Sequence, residues 1–192
     1  MREIGRIERL QIQRGPLKTG EKPDRVYSPA PLLAVTSLAL GPDGALGLGP
    51  DGAWLVDVHN RAHPLSRHDE GRNGVSVGFT GHYAAMRERF GDRLVTGCAG
   101  ENIIAATAGR IPLEDIANGL AIVAPDGRER LRLRVNQVAH PCRPFTGWAL
   151  GRRVEPEVLK AHLQFLDDGM RGYYCAAEGS AVVVVGDRLV AL

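Results

Sequence analysis

The sharpest pattern in the chain lies between Leu120 and Val138, where Leu131, Leu133 and Val135 share one parity and Arg132, Arg134 and Asn136 the other. Successive side chains of a strand point to opposite faces, so this stretch predicts a hairpin with one buried and one wet face. A parity change at Gln137-Val138 predicts a bulge. Gly5 to Ile12 alternates more loosely, as a partly exposed strand does, and Leu32 to Leu40 is an apolar run of the kind a buried strand makes. Further short strands are predicted at Ala53 to Val58, Arg93 to Val95, Glu101 to Ile104, Met170 to Cys175 and Ala181 to Val185, with one more at the end. Pro-Asp-Gly recurs, ending at Gly44, Gly52 and Gly127. Proline presets φ and glycine accepts the left-handed conformation, so each copy predicts a tight turn.

Two stretches carry the helical period instead. Thr80 is the expected cap of a helix through Phe90, with Tyr83, Met86 and Phe90 on one stripe and Gly91 as the stop. Pro156 opens a second, with Val158, Leu159, Leu163 and Leu166 apolar and Gly169 beyond. A shorter helix is predicted from Pro112 to Gly119. About eight or more strands against two sizeable helices make the fold class mainly β, a meander or barrel with peripheral helices.

At 192 residues, 44% apolar and 24% charged, the chain can bury one full core. Prolines at 16, 23, 29 and 31 set off the stretch from Arg14, so residues 1–33 read as an N-terminal strand and proline-rich arm ahead of a barrel domain over 34–192. A net charge of +2 is too mild for a dedicated nucleic-acid binder. No apolar run is long enough for a membrane span, and residues 1–10 lack the apolar core of a signal peptide. The glycines form neither GxGxxG nor GK[ST], which argues against a nucleotide-binding βαβ unit. Cys98, Cys142 and Cys175 are odd in number and widely spaced, so they predict neither a disulfide framework nor a metal knuckle, and a reducing, cytoplasmic setting is expected.

Two segments carry candidate chemistry. The loop from His59 to Gly74 holds His59, His63, His68, Asp69, Arg61, Arg67 and Arg72. Pro64 keeps His59 and His63 off a shared helical face, so a solvated or anion-binding loop is favoured over a zinc site. In Val138-Ala139-His140-Pro141-Cys142-Arg143-Pro144-Phe145, the prolines restrict the residues before them, predicting a stiff loop poorly suited to helix. His140 and Arg143 flank the sulfur, and nearby positive charge favours the thiolate, the form that ligates metals, attacks electrophiles or carries sulfur. Against this stands the usual fate of a free cysteine, burial as a small apolar group, which is the reading for Cys98 and Cys175.

Gly100-Glu101-Asn102-Ile103, the Pro141-Cys142 segment, Gly172-Tyr173 and the closing Val185-Gly186-Asp187 occur in the order and at the intervals of the MOSC domain, the module named after the molybdenum cofactor sulfurase C-terminus. From about Ala34 onward the chain resembles that family. The resemblance implies a twisted β-barrel with two sizeable helices packed outside and a cleft carrying the cysteine. It further implies a role for Cys142 as ligand to molybdenum in molybdenum cofactor (molybdopterin), or as a persulfide that carries sulfur. The partners implied are an electron-transfer protein or a cysteine desulfurase, and the activity an oxidoreductase or a sulfur transferase. The family's Gly-Asp-x-His element matches Val56-Asp57-Val58-His59, with Val56 in place of glycine. Around Cys142, Arg61, Arg67, Arg72, Arg143 and Arg171 are candidates to neutralise a pterin phosphate, and His59, Asn102 and His140 to meet the cofactor's polar edge. A hydrolase using Cys142 with His140 as base, and a binding module without catalysis, are the alternatives.

Overall fold

In the computed structural model, which describes residues 1–192, the first strand, β1 (Arg2–Gln13), serves three neighbours in succession. Its start pairs with the last strand of the chain, its middle with Ile103–Ala105 and its end with Leu32–Val35. Register shifts at Glu3/Gly5 and Ile7/Arg9 bend it. Gly5 sits at the first bend, where any Cβ would overlap the Ala106 carbonyl.

From β1 the chain makes a small pair, β2 (Lys18–Thr19) and β3 (Val26–Tyr27), then β4 (Leu32–Val35), β5 (Ser37–Gly41), β6 (Gly44–Leu48) and β7 (Trp54–Val56). Next come β8 (Val75–Phe79), helix α1 (Thr80–Phe90), β9 (Ile103–Ala105), β10 (Leu120–Val123) and β11 (Glu129–Val138). Helices α2 (Arg143–Leu150) and α3 (Pro156–Leu166) precede β12 (Tyr173–Ala177), β13 (Ala181–Val184) and β14 (Arg188–Ala191). Strands β1, β14, β10, β11, β12, β8 and β9 close into a seven-stranded barrel, so its staves have no free edge. Every pair in the ring is antiparallel except β8 with β9, which α1 connects by crossing outside. Strands β13, β5, β6 and β7 form a second antiparallel sheet, and Gly47 of β6 seats against Ile12 and Val35.

Inside the barrel, Ile7, Leu10, Ile12, Val77, Phe79, Ile103, Leu133 and Tyr173 are shut off from solvent. A separate apolar cluster, including Tyr83, Met86, Leu94, Cys98, Phe145 and Leu166, fills the space between barrel and helices. On β11 the alternation holds, with Leu131 and Leu133 buried and Arg132 and Arg134 exposed. The bulge falls at Asn136, one residue earlier than the parity pattern placed it. All three Pro-Asp-Gly copies turn the chain, their glycines at φ 105°, 82° and 90°.

Other expectations need correction. The run Leu32 to Leu40 is two strands in different sheets, β4 and β5. Arg93 to Val95 forms no strand; the chain turns there and leaves Val95 exposed. Phe79, extended, occupies the cap position of α1, because the Thr80 hydroxyl is spent donating to the Thr107 carbonyl. The stretch from Pro112 contains one 3-10 turn, Leu113–Asp115, and α3 stops at Leu166, short of Gly169. The two sizeable helices expected outside the barrel are α1 and α3, and the shorter α2 packs beside them.

A buried polar knot holds the barrel to the loops above it. Asp57 and Asn102 are fully buried. Asn102 Oδ1 accepts from the Ser76 amide and hydroxyl, both at 3.0 Å, and its Nδ2 donates to Gln11 O and to Asp57 Oδ2. Asp57 also accepts from the amides of Gln13 and His59. The loop ahead of β9 is lashed down in the same way. Gln11 and Gln13 donate to the carbonyls of Gly97 and Gly100, whose φ values of 93° and 101° only glycine adopts freely. The Tyr83 hydroxyl donates to Glu101 Oε2 at 2.6 Å and accepts from the Ala99 amide.

Two outcomes follow. Asn102→Ala leaves a carboxylate and backbone groups unpaired inside the protein, at about 1–3 kcal/mol for each unmet group, so it should lower stability by about 3 kcal/mol or more. Urea denaturation measures this, and a loss below about 1 kcal/mol contradicts the role given to the knot. Burial pushes the Glu101 carboxyl above its ordinary value, with the Tyr83 hydrogen bond opposing. The folded chain therefore keeps this proton to higher pH than the unfolded chain does, and the group costs stability as pH rises through the raised value. Glu101→Gln lacks that cost. Its stability relative to wild type should improve as pH rises above the ordinary carboxyl range, and parallel pH curves would count against it.

Candidate functional site

Strand β11 ends beside the turn into β12, with the Ala139 amide bound to Gly172 O at 2.9 Å. Four residues later, at Arg143, the chain enters α2, with Cys142 as its cap residue in extended geometry. The Cys142 carbonyl accepts from both the amide and the hydroxyl of Thr146. The expected stiff loop is thus a helix start. Pro144 lies in the first turn, where no backbone N–H is needed, so the residue taken as a helix breaker is a helix opener.

The Cys142 side chain is half-buried against the Phe145 cluster. Arg171 Nη1 lies 3.9 Å from its sulfur and 3.5 Å from His140 O, while Nη2 donates to Ala99 O at 3.0 Å. The guanidinium also stacks over the Phe145 ring at 4.1 Å. Gly172 makes this placement, since its φ of 83° turns the chain and a Cβ there would overlap Val77 O. Both the guanidinium and the positive end of α2 favour an anion at the sulfur. The other two thiols differ. Burial pushes Cys98 and Cys175 up to about 12, which leaves them protonated and inert.

Lys18 of β2 enters the same site. Burial pushes its ammonium below the ordinary value, the Cys142 sulfur opposes the shift, and Arg171, Arg67 and Arg25 reinforce it. Tyr174 of β12 also borders Arg171 and Cys142, and its hydroxyl is pushed up by burial. Its ring lies 5.9 Å from the His59 imidazole, which Asp57 Oδ1 holds at 3.2 Å. His59 therefore reaches the site through Tyr174.

The remaining candidates divide. Asn102 has all its polar atoms engaged in the knot beneath the site, a supporting role in place of contact with a ligand. His140 contributes its carbonyl, but its exposed ring is turned to Asp167 at 2.9 Å. Arg171 is the hydrogen-bond partner of the sulfur, so the cysteine–histidine pair of a hydrolase is not formed. Arg61 pairs with Asp43 on the surface, and Arg72 with Asp69. Arg143 follows Cys142 but lines a groove whose walls do not include the sulfur. His63 and His68 bond the carbonyls of Arg14 and Pro42, and no three His, Cys, Asp or Glu side chains are grouped to hold a metal by themselves.

Lys18, Tyr27, Glu101 and Tyr174 escaped the sequence reading as site residues. Lys18 and Tyr27 lie in the stretch read as a proline-rich arm, because strands of two residues give no period to detect. Tyr27 donates to Cys98 O at 2.6 Å and packs edge-on to Phe145 at 5.0 Å, fixing that stretch over the site.

The comparisons agree with this architecture. Among solved structures, YuaD from Bacillus subtilis superposes with a TM-score of 0.58 at 16% identity, over 96% of this chain and 93% of that one. YiiM from Geobacillus stearothermophilus gives 0.52 at 16% over 100% and 74%, and YiiM from Escherichia coli 0.54 at 13% over 97% and 69%. At such identities these likenesses show a shared fold. A search of curated proteins found no match. The MOSC domain model matches residues 65–190, which include the knot residue Asn102, the sulfur and Arg171. With most of its length matched and the barrel formed, the chain belongs to the MOSC domain family.

Proposed function

We propose that this MOSC protein binds molybdenum cofactor with Cys142 as the thiolate ligand, acting as a redox enzyme or as a carrier of the cofactor. The observation that carries this reading is unbalanced positive charge around a half-buried thiol. Lys18 and Arg67 have no ion-pair partner, and Arg171 Nε is buried without a hydrogen-bond acceptor. A buried donor without an acceptor is costly unless a ligand supplies one. Soft sulfur suits molybdenum, and the three cations suit a phosphate-bearing pterin, so the donor set fits the group. Bound there, the cofactor supplies two-electron redox chemistry. Cys142 would hold it by sulfur beside the Arg171 guanidinium, Lys18 and Arg67 would neutralise its phosphate, and Tyr174 with His59 would border it. As a redox enzyme it requires an electron-transfer partner.

A second reading has one observation in its favour. The sulfur is not sealed from solvent, so a donor protein can reach it. As a sulfur carrier, the Cys142 thiolate attacks the outer sulfur of a persulfide on a cysteine desulfurase. The donor S–S bond breaks, its thiolate leaves, and Cys142 holds the persulfide.

Protein purified from a host that makes the cofactor should contain near-stoichiometric molybdenum by elemental analysis and fluorescent oxidised pterin, both lost in Cys142→Ser. Absence of both from the wild type overturns the cofactor reading. A gain of one sulfur atom on Cys142 after incubation with a desulfurase and cysteine, seen by mass spectrometry, selects the second.

A further inference from the structure

Beside α2, with Cys142 absent from its lining, lies a groove of about 630 Å³ between the β2–β3 pair, α2 and the start of α3. That is the size of a small-molecule site. Four arginines line it, Arg25, Arg143, Arg152 and Arg153, and no carboxylate does. None is paired with an acidic residue elsewhere; Arg25 donates to its neighbour Gly20 O, and the other three guanidinium groups make no hydrogen bond to the protein. Arginines gathered in this way repel one another unless an anion joins them, and their planar forks match phosphate oxygens.

The remaining wall is aromatic and apolar. Trp148 is half-exposed in the groove, and its ring is braced by Tyr27 at 5.4 Å and Phe145 at 5.9 Å. A flat, pre-positioned indole offers a stacking face to a planar ring. Inorganic phosphate would leave that face unused, and a nucleic-acid strand would need a longer charged track than this short groove provides.

We propose that the groove binds an organic phosphate with a flat heteroaromatic ring, of the nucleoside diphosphate class. The ring stacks on Trp148, and the phosphates lie between Arg143, Arg152, Arg153 and Arg25. Cys142, Arg171 and Lys18 are not among the groove's lining residues. It is built from α2, the α2–α3 connection and the β2–β3 stretch, the last lying outside the family-matched residues 65–190.

The chain has two tryptophans, Trp54 and Trp148, so Trp54→Phe leaves Trp148 as the sole indole reporter. The full chain carrying that change is titrated with ADP, GDP, CDP and inorganic pyrophosphate while indole fluorescence is followed. At least one nucleotide should quench saturably and more tightly than pyrophosphate. Added Arg152→Ala and Arg153→Ala, both at exposed positions, should weaken binding by about tenfold or more, and raised salt should weaken it further. Cys142→Ser should leave it unchanged. The proposal is overturned if no nucleotide gives saturable quenching, if the arginine variant binds as well, or if pyrophosphate binds as tightly as the nucleotides. Loss of binding in Cys142→Ser also overturns it, by making the groove part of the sulfur pocket.

Discussion

A guanidinium beside a thiol is the contact on which the site depends. Arg171 ties three otherwise separate pieces together through one planar group: the Ala99 loop ahead of β9, the His140 carbonyl at the end of β11, and the Phe145 ring on α2. What remains of its charge faces the Cys142 sulfur. Burying such a group is expensive unless its charge is answered, and the answer comes from carbonyls, an aromatic face and the sulfur, with no paired carboxylate.

Barrel closure makes that contact rigid. Because β1 pairs in turn with β14, β9 and β4, side chains near its end are held where they reach the loop ahead of β9. Gln11 and Gln13 seize the glycine loop, and Asp57 with Asn102 clamps β1, β8 and the start of the histidine loop. An aromatic line then runs outward from Arg171 through Phe145 and Tyr27 to Trp148. Aromatic packing thus connects the residues around the sulfur to the indole that lines the arginine groove.

Local chemistry was legible in the sequence wherever it was local. The β11 alternation survives because Leu131 and Leu133 must face the core while Arg132 and Arg134 cannot. The Pro-Asp-Gly turns are set by backbone conformation alone. Cys142 stood out because charge and proline surround it in the sequence. The errors have equally physical sources. Proline at a helix start and proline in a loop look alike until the first turn is seen, which hid α2. Asn102 resembles a ligand-binding amide, yet its partners Gln11, Ser76 and Asp57 come from remote parts of the chain. Lys18 comes near the sulfur's charge only because the strand it follows closes the barrel, and no local pattern encodes that.

The most direct test of a reactive centre set by Arg171 is the rate at which iodoacetamide labels each cysteine at neutral pH, resolved by mass spectrometry. In the wild type, Cys142 should be labelled fast, and Cys98 and Cys175 hardly at all. Arg171→Met should slow labelling of Cys142 several-fold, while Arg171→Lys, which keeps the charge, should retain most of it. Equal rates at Cys142 in wild type and Arg171→Met, with the fold intact by circular dichroism, would contradict the account.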